Sequence, residues 1–372
     1  MTDWAAHGLL DGLTGRDRQA RTDLLETLEA EGYTIDNIKR SNREGELLFL
    51  MAGRAINVSV QYSWKDLVEK SGLPEELIAR LLRSQGITRA DDDSPWYTEA
   101  DLELLTTTNE FIRSGVTEEE ILTVSRLLGK GLSQAAEAMR GVALRLVLEP
   151  GLGERDLAVR YAHTAELLTP MLEPMLANLL RLHLAKLVQT ELISAEEREA
   201  GRLPGARPIV VAFADLVGFT RLGEEVAPDQ LGAVAGRLEN MVLEVIASPV
   251  RFVKTIGDAV MVVSPEAEPL LDAGLTLAEA ADAEGEDFPQ LRVGVAAGEA
   301  LGRAGDWYGR PVNLASRLTG IARAGSVLAT GDVQELAPDR YAWSKAGVRS
   351  IKGVADAVPL WRARRLTPGA DR

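Results

Sequence analysis

The hydrophobic pattern of this 372-residue chain changes once, and that change constrains the fold more than any other feature. From about Thr22 to Glu199, apolar residues recur at spacings of three and four, which is typical of helices. After Arg207, short apolar runs alternate with helical segments, and the stretch 196–207 between the two patterns contains charges, two glycines and a proline. The pattern predicts a helical domain over 1–195, a linker over 196–207, a second domain over 208–365 and a tail over 366–372.

The composition is that of a folded, acidic protein. Hydrophobic residues make up 46% of the chain and charged residues 26%, which excludes a fibrous repeat or wholesale disorder. A net charge of -15 disfavours nucleic acid as a partner. Because the chain has no cysteine, disulfides, thiolate metal sites and a cysteine nucleophile are excluded. Neither a signal segment nor a run of about 18 apolar residues is present, so we predict a cytoplasmic protein without a transmembrane segment.

Two helical elements of the first half have clear local signals. Thr117 and Glu120 have the spacing of a capping box, and the helix that they open is predicted to stop at Gly129 or Gly131. The segment from Ser63 to Ile87 predicts two short helices joined by a turn, which is the helix-turn-helix pattern of some DNA-binding proteins. Its basic and acidic residues nearly balance, so a packed helical hairpin is favoured and DNA binding is the alternative.

The leucine-rich stretch from Thr169 to Glu199 is predicted to form a helix with a broad apolar face, and such a helix needs a partner surface. His183 lies on this face. A histidine there is usually a buried structural residue. Because its ordinary pKa is near neutrality, His183 is also a candidate pH switch.

The second half predicts a mixed sheet. Strands are predicted at 209–214, 252–256, 259–264, 291–297 and 326–330, with helices at 228–247, 266–283 and 311–323. Only Gly257 and Asp258 separate the second strand from the third, which predicts an antiparallel hairpin. A hairpin there argues against an all-parallel sheet and favours a ferredoxin-like βαββαβ core. The predicted fold class is therefore α+β, with a mainly α-helical first domain.

Two aspartates are placed where such a sheet would bring them together. Asp215 follows the first strand, and Asp258 lies in the hairpin turn. Because the first strand of a ferredoxin-like sheet lies beside the third, the two carboxylates are expected to face each other. Close carboxylates suit hard cations such as Mg²⁺ or Mn²⁺, and two such ions could act on the phosphates of a substrate. Either aspartate alone would be an ordinary turn residue.

Two further segments supply groups suited to phosphate. Phe219 and Thr220 follow the first aspartate in a turn that opens a helix, where backbone N–H groups can receive phosphate oxygens. Asn313 and Arg317 lie four residues apart in the last predicted helix and so share one face. Arginine is well suited to phosphate contact, and a purely structural Asn–Arg pair is the alternative.

The segments FADLVGFT, VKTIGDAVM and DWYGRPVNLASR, at 213–220, 253–261 and 306–317, resemble in order and spacing the class III nucleotidyl cyclase catalytic domain. The resemblance covers about 209–362 and includes the closing segment IKGVADAVPLWR. It implies a metal-binding set, a base-recognising pair, a residue that orients the ribose, a residue that stabilises charge on the phosphate, and substrate contacts in the first turn. By this resemblance the metal-binding set is Asp215, Asp258 and Leu216, and the base-recognising pair is Lys254 and Asp306. Asn313 would orient the ribose, and Arg317 would stabilise charge on the phosphate. Phe219 and Thr220 would make the substrate contacts in the first turn.

The resemblance also implies a reaction, in which the ribose 3′-oxygen of a nucleotide attacks the α-phosphorus and expels pyrophosphate. Adenine has a donor at its 6-amino group and an acceptor at N1, which match the acceptor Asp306 and the donor Lys254. ATP is therefore the expected substrate, because a guanylate cyclase would call for an acidic residue in place of Lys254. In this family one subunit supplies the metal-binding and base-recognising residues and the other supplies the Asn and Arg, which implies a homodimer with Mg²⁺ or Mn²⁺, two ions per site.

The arrangement of a helical half fused directly to a cyclase half resembles the soluble pH-responsive adenylate cyclases of mycobacteria and related actinobacteria. This second resemblance implies a regulatory role for the first domain. A lipid or fatty acid held in an apolar pocket between its helices is one hypothesis for a regulatory ligand. The alternative from a different class is a non-catalytic, nucleotide-sensing transcription regulator that would bind DNA through the helix-turn-helix.

Overall fold

The protein is described by a computed structural model, and the description covers residues 2–56, 60–87, 95–190, 205–285, 288–354 and 356–366. The chain divides into two compact units, Met1–Leu192 and Ile193–Arg372. Most of the predicted linker and of the predicted tail lies outside the described residues, so the domain boundaries stay predictions. None of the helices in the described ranges combines the length and the apolar character that a membrane span requires.

Within its described ranges the first unit has α-helices, one short 3-10 helix at Leu47–Phe49 and an isolated β-bridge between Tyr62 and Tyr97. The helices are α1 Gly15–Ala30, α2 Ile35–Glu44, α3 Ala52–Ala55, α4 Trp64–Ser71, α5 Glu75–Ser84, α6 Glu99–Arg113, α7 Glu118–Val147 and α8 Glu154–Thr190. One cluster of buried side chains joins α1 and α2 to the start of α8 through Leu28, Ile38 and Ala158. This helical architecture confirms the class predicted for the first half.

The helices α4 and α5 form the predicted hairpin. Ser63 caps α4 in a capping box with Asp66, and α4 ends at Gly72, whose φ of +70° gives the left-handed conformation that glycine tolerates. Leu77 and Leu81 of α5 are buried in a second cluster that extends to α6 and α7. The hairpin is therefore a packed part of the unit.

The helix α7 differs from its prediction. Thr117 and Glu120 form the expected capping box, but the helix continues through Gly129 and Gly131 to Val147, so the predicted stop is wrong. A Cβ on Gly129 would lie 2.7 Å from the Cα of Gln85, which shows that the glycine lets α7 pass close to the end of α5. Close packing between helices thus offsets the low helix propensity of glycine.

The helix α8 also begins earlier than predicted, at Glu154 instead of Thr169. Pro170 and Pro174 lie inside it. Many of its apolar side chains beyond Val159 are exposed within one chain, for example Met171 with 65% of its surface exposed. The part of the predicted helix beyond residue 190 lies outside the described residues.

The second unit is a sheet with helices on both faces. Its elements are β1 Arg207–Leu216, α9 Phe219–Glu225, α10 Pro228–Val245, β2 Arg251–Ile256, β3 Ala259–Ser264, α11 Ala267–Ala283, β4 Leu291–Arg303, β5 Asp306–Gly309, α12 Arg310–Ile321, β6 Ser326–Thr330, α13 Gly331–Leu336, β7 Ser344–Arg349 and β8 Val358–Ala363. The strand order is β2-β3-β1-β4-β6-β8-β7, and β5 pairs with β4. The strand β1 is antiparallel to both β3 and β4. Strands β1 to β4 with α10 and α11 are therefore the predicted ferredoxin-like βαββαβ core.

The two faces of this sheet have separate cores. On one face, Val210 and Ala212 pack with residues of α10 and α11. The opposite face, which we call the site face, contains Val211, Phe213 and Met261 and packs against α12. A Cβ on Gly294 of β4 would lie 2.4 Å from the carbonyl oxygen of Ala315, so glycine is needed where α12 crosses β4.

Candidate active site

The structure brings Asp215 and Asp258 together at one end of the sheet. Asp215 is the next-to-last residue of β1 and pairs with Ala259, the residue that follows Asp258. The backbone N–H of Leu216 donates to the carbonyl oxygen of Asp258 at 3.2 Å. Gly257 has a φ of +62°, which permits the tight turn between β2 and β3. Strand pairing and turn geometry together thus fix the two carboxylates beside each other.

The charge of Asp215 acts on the neighbouring carboxyl group of Asp258. Burial raises the pKa of the Asp258 carboxyl, and the neighbouring charge of Asp215 raises that pKa further. Arg292, on β4 opposite Asp215, donates from Nε to an Asp215 carboxylate oxygen at 2.8 Å and from Nη1 to the carbonyl of Gly320 at 3.2 Å. This arginine lowers the pKa of Asp258 and partly offsets the two negative charges.

Sequence reasoning missed Arg292. A charged residue between the buried Leu291 and Val293 is the one signal that could have identified it, because a buried strand rarely contains an arginine without a partner. Its contact with Asp215 depends on the register of β1 and β4, which the sequence does not reveal.

Lys254 and Asp306 form a second charged pair on the site face. The Lys254 ammonium donates to one oxygen of Asp306, and the side chains are 36% and 26% exposed. The pairing of β2 with β3 shifts between Phe252 and Lys254, and Lys254 pairs with Met261 of the site face. Since a β-bulge redirects side chains, this shift determines which face Lys254 takes.

Asn313 and Arg317 lie on the exposed side of α12. The guanidinium of Arg317 lies over Gly353, where a Cβ would be 3.3 Å from its Nη2 atom. Among the hydrogen bonds and ion pairs of the described residues, none joins these two side chains to Asp215 or Asp258. Within the described part of one chain, Asn313 and Arg317 are therefore not linked to the two aspartates by a hydrogen bond or an ion pair.

The remaining candidates occupy varied positions. Phe219 is the first residue of α9 and packs against the core on the face opposite the site face, whereas the side chain of Thr220 is exposed. Leu216 is buried. His183 is exposed within a single chain, so the interpretation as a buried structural residue does not hold inside its own unit.

The carboxylate pair is suited to a divalent cation whose other ligands come from outside the protein. The two carboxylates and the single guanidinium group of Arg292 leave a net negative charge at a partly buried position, and a cation can offset this charge. In the described part of the chain, no group of three or more His, Asp or Glu residues could hold a metal ion by itself. Asp215 and Asp258 would therefore hold an ion together with oxygen atoms from a substrate.

The chain is similar to known proteins along most of its length. Residues 2–188 match the adenylate cyclase regulatory domain, and residues 204–361 match the adenylate and guanylate cyclase catalytic domain. Over 365 residues the chain is 43% identical to the pH-sensitive adenylate cyclase MT1302 of Mycobacterium tuberculosis, covering 96% of this chain and 91% of that protein. It is 31% identical over 303 residues to an adenylate cyclase of Streptomyces coelicolor, covering 80% and 78%. The crystal structure of adenylyl cyclase CyaB from P. aeruginosa matches 44% of this chain and 96% of its own, with 23% identity and a TM-score of 0.40.

The second unit is therefore a class III nucleotidyl cyclase catalytic domain. With the regulatory domain in front of it, the chain belongs to the class III adenylate cyclase family. The family, the enzyme class and the fold class predicted from the sequence are thereby confirmed.

Proposed function

We propose that this protein is a homodimeric adenylate cyclase that converts ATP to 3′,5′-cyclic AMP and pyrophosphate. The observation that supports this function most is the carboxylate pair Asp215–Asp258 on the same sheet face as the pair Lys254–Asp306. In the reaction the ribose 3′-hydroxyl loses its proton and its oxygen bonds to the α-phosphorus. The bond from that phosphorus to the pyrophosphate oxygen breaks. No protein nucleophile takes part.

The metal-binding role falls to Asp215 and Asp258, with the backbone carbonyl of Leu216. These residues would hold Mg²⁺ or Mn²⁺, two ions per site, and the ions would supply positive charge against the phosphates and the attacking oxygen. Arg292 donates to Asp215 and so keeps that carboxylate oriented.

Base recognition falls to Lys254 and Asp306. Asp306 accepts a hydrogen bond from the 6-amino group of adenine, and Lys254 donates to N1. Guanine offers the opposite pattern at these positions, so it would leave both side chains without a matching partner. The ion pair between them supports this assignment, because it brings the donor and the acceptor together.

The phosphates and the ribose are bound by the other group of residues. Asn313 orients the ribose, and Arg317 stabilises charge that develops on the α-phosphate. Lys352 is exposed and adjacent to Gly353, over which the Arg317 guanidinium lies, so two cations are available for the phosphate chain. Phe219 and Thr220 offer backbone N–H groups at the start of α9.

The separation of the two groups supports a site built from two copies of the chain. Lys254 and Asp306 meet in one place, whereas Asn313 and Arg317 are exposed on α12. In a symmetric dimer, the exposed group of one subunit can complete the carboxylate site of the other.

The helical half is proposed to regulate this reaction in response to pH. The support is the match to a regulatory domain and the 43% identity to a relative named as pH-sensitive. His183 is the candidate switch.

The hypothesis of a lipid ligand stays a prediction. A 580 Å³ cavity of this half does not support it, because the cavity is lined mainly by polar and charged residues such as Lys39, Arg40 and Arg43. The cytoplasmic location also stays a prediction.

The alternative function as a DNA-binding sensor is not favoured by the helical hairpin. Glu75 and Glu76 lie on the exposed side at the start of α5, and Arg80 pairs with Glu118 at 3.4 Å. A phosphate backbone would meet negative charge at this helix.

The direct test is to incubate the purified full-length protein with ATP or with GTP and Mn²⁺, and to measure cyclic nucleotide and pyrophosphate. Cyclic AMP and equimolar pyrophosphate from ATP, with much less product from GTP, are expected. Binding of ATP without any cyclic product would contradict the proposal and favour a nucleotide sensor.

A further inference from the structure

The buried indole of Trp307 fastens the short strand β5 to the rest of the sheet. This strand has four residues and, among the described strands, it pairs with β4 alone. The Trp307 side chain is in the core of the site face and only 5% exposed. The guanidinium groups of Arg207 and Arg251 lie 5.1 and 5.9 Å from its ring centroid.

These two arginines belong to strands that β5 does not pair with. Arg207 is the first residue of β1, and Arg251 is the first residue of β2. Cation–π attraction between a guanidinium and an indole is strongest where water is excluded, as it is around this buried ring. The indole therefore connects β5 to β1 and β2, which the backbone hydrogen bonds do not.

The backbone of Trp307 also holds the carboxylate of Asp306. Its N–H donates to Oδ1 of Asp306 at 2.8 Å, while Oδ2 of the same carboxylate accepts from Lys254. Both oxygens of Asp306 are thus held, one by the strand and one by the lysine. The direction of this carboxylate depends on where the backbone of β5 lies.

We infer that Trp307, held by Arg207 and Arg251, is a positioning residue that sets the selectivity of the site for adenine. The inference rests on the proposed function, in which Asp306 and Lys254 recognise the base. A carboxylate fixed at one place accepts only from a donor at the matching place. A carboxylate that moves with a loose strand discriminates less between the two purines.

The inference separates the effect on base selection from the effect on chemistry. The carboxylates Asp215 and Asp258 are on β1 and in the β2–β3 turn, so displacement of β5 leaves them in position. Loss of the indole is expected to raise the KM for ATP and to reduce the preference for ATP over GTP, while kcat changes little.

The test compares Trp307→Leu, Trp307→Phe and the double variant Arg207→Gln/Arg251→Gln in the full-length protein. We expect Trp307→Leu to raise the KM for ATP about tenfold and to lower the ATP-to-GTP ratio of kcat/KM about tenfold. Trp307→Phe should restore most of both values, because it keeps an aromatic face for the arginines. The double variant should fall between Trp307→Leu and the wild type. The matched control is Trp361→Leu, which removes a tryptophan that stacks with Lys345 on β7.

Two reference variants distinguish the possible failures. If Asp306→Ala loses the preference for ATP while Trp307→Leu keeps both the preference and the KM, the positioning role is overturned and the base assignment stands. If Asp306→Ala itself keeps the preference, the base assignment is overturned and this inference with it. Should Trp307→Leu fail to fold, the arginine double variant decides, since an unchanged ATP-to-GTP ratio there would contradict the inference.

Discussion

At the residue scale, two carboxylates and one guanidinium group form a network. They belong to Asp215, Asp258 and Arg292. Burial and the charge of Asp215 raise the pKa of Asp258, so positive charge nearby would stabilise its ionised form. A divalent cation held by both carboxylates would supply that charge. The network therefore supports the proposed role in binding a cation.

Replacement of either aspartate by alanine tests this arrangement. Asp215→Ala and Asp258→Ala are each expected to lower the rate of cyclic AMP formation at least about a hundredfold, because charge on the phosphates loses its compensation. Steady-state rates with ATP and Mn²⁺ measure the effect. Asp332→Ala removes an exposed carboxylate of α13 and is the matched control. Turnover of Asp258→Ala close to that of the wild type would refute the metal-binding role.

Much of the candidate site could be predicted because its residues lie in short segments of fixed spacing. Asp215 and Asp258 are adjacent in space because the predicted hairpin and the β1–β3 pairing bring them together. Arg292 and the shifted pairing beside Lys254 were missed, because both depend on strand register. Register is set by long-range packing, which local residue types do not determine.

At the element scale, the hairpin, the sheet and the helical hairpin followed from local signals, whereas the extents of α7 and α8 did not. In a sequence that is otherwise typical of a helix, glycine and proline are ordinary signals that the helix ends. In α7 a glycine instead provides space for another helix, and in α8 two prolines lie within the helix. Tertiary packing determined these helices, and it is not visible in a local window of sequence.

The two glycines of α7 give a matched pair of predictions. Gly129→Ala is expected to destabilise the first unit by about 1 to 3 kcal/mol, because its Cβ would collide with the backbone of Gln85. A Cβ added at Gly131 would meet nothing within 4 Å, so Gly131→Ala should stabilise the helix by about 0.5 to 1 kcal/mol. Urea unfolding followed by circular dichroism measures both. Equal effects of the two substitutions would contradict the close approach of α7 to α5.

The capping box of α7 predicts a pH dependence of stability. Hydrogen bonds from the side chain and backbone of Thr117 hold the pKa of Glu120 below its ordinary value of 4.5. A carboxyl group of this kind stabilises the fold above pH 4.5, and the contribution is lost as the pH falls through the lowered value. Glu120→Gln is thus expected to be less stable than the wild type near neutral pH and equally stable in acid. Glu119→Gln, in the same turn but outside the box, controls for the helix dipole.

At the scale of the whole molecule, one chain leaves large apolar side chains uncovered on α7 and α8. Leu146 and Met171 are each 65% exposed, and Leu180 is 53% exposed. Large exposed apolar side chains in this number on two helices are typical of an interaction site. Together with the separated groups of catalytic candidates, it agrees with a protein that acts as a dimer.

His183 offers a prediction about regulation at this scale. If it is the pH switch, His183→Gln should change the activity profile between about pH 5 and pH 8, where histidine gains its proton. The profile of the purified full-length enzyme is measured beside that of His7→Gln, which alters a histidine far from α8 in sequence. Superimposable profiles of His183→Gln and the wild type would exclude this histidine as the switch.

The most direct measurement mixes two inactive variants. Asp215→Ala removes a proposed metal ligand and Arg317→Ala removes the arginine proposed to bind phosphate, so each alone should form almost no cyclic AMP. If the site is shared between two copies, the mixture should recover about a quarter of the wild-type activity, because half of the dimers are mixed and each has one intact site. A mixture of Asp215→Ala with Asp258→Ala is the control and should stay inactive. Failure of the first mixture to recover activity, although subunits exchange between dimers, would contradict an adenylate cyclase site composed of two copies of this chain.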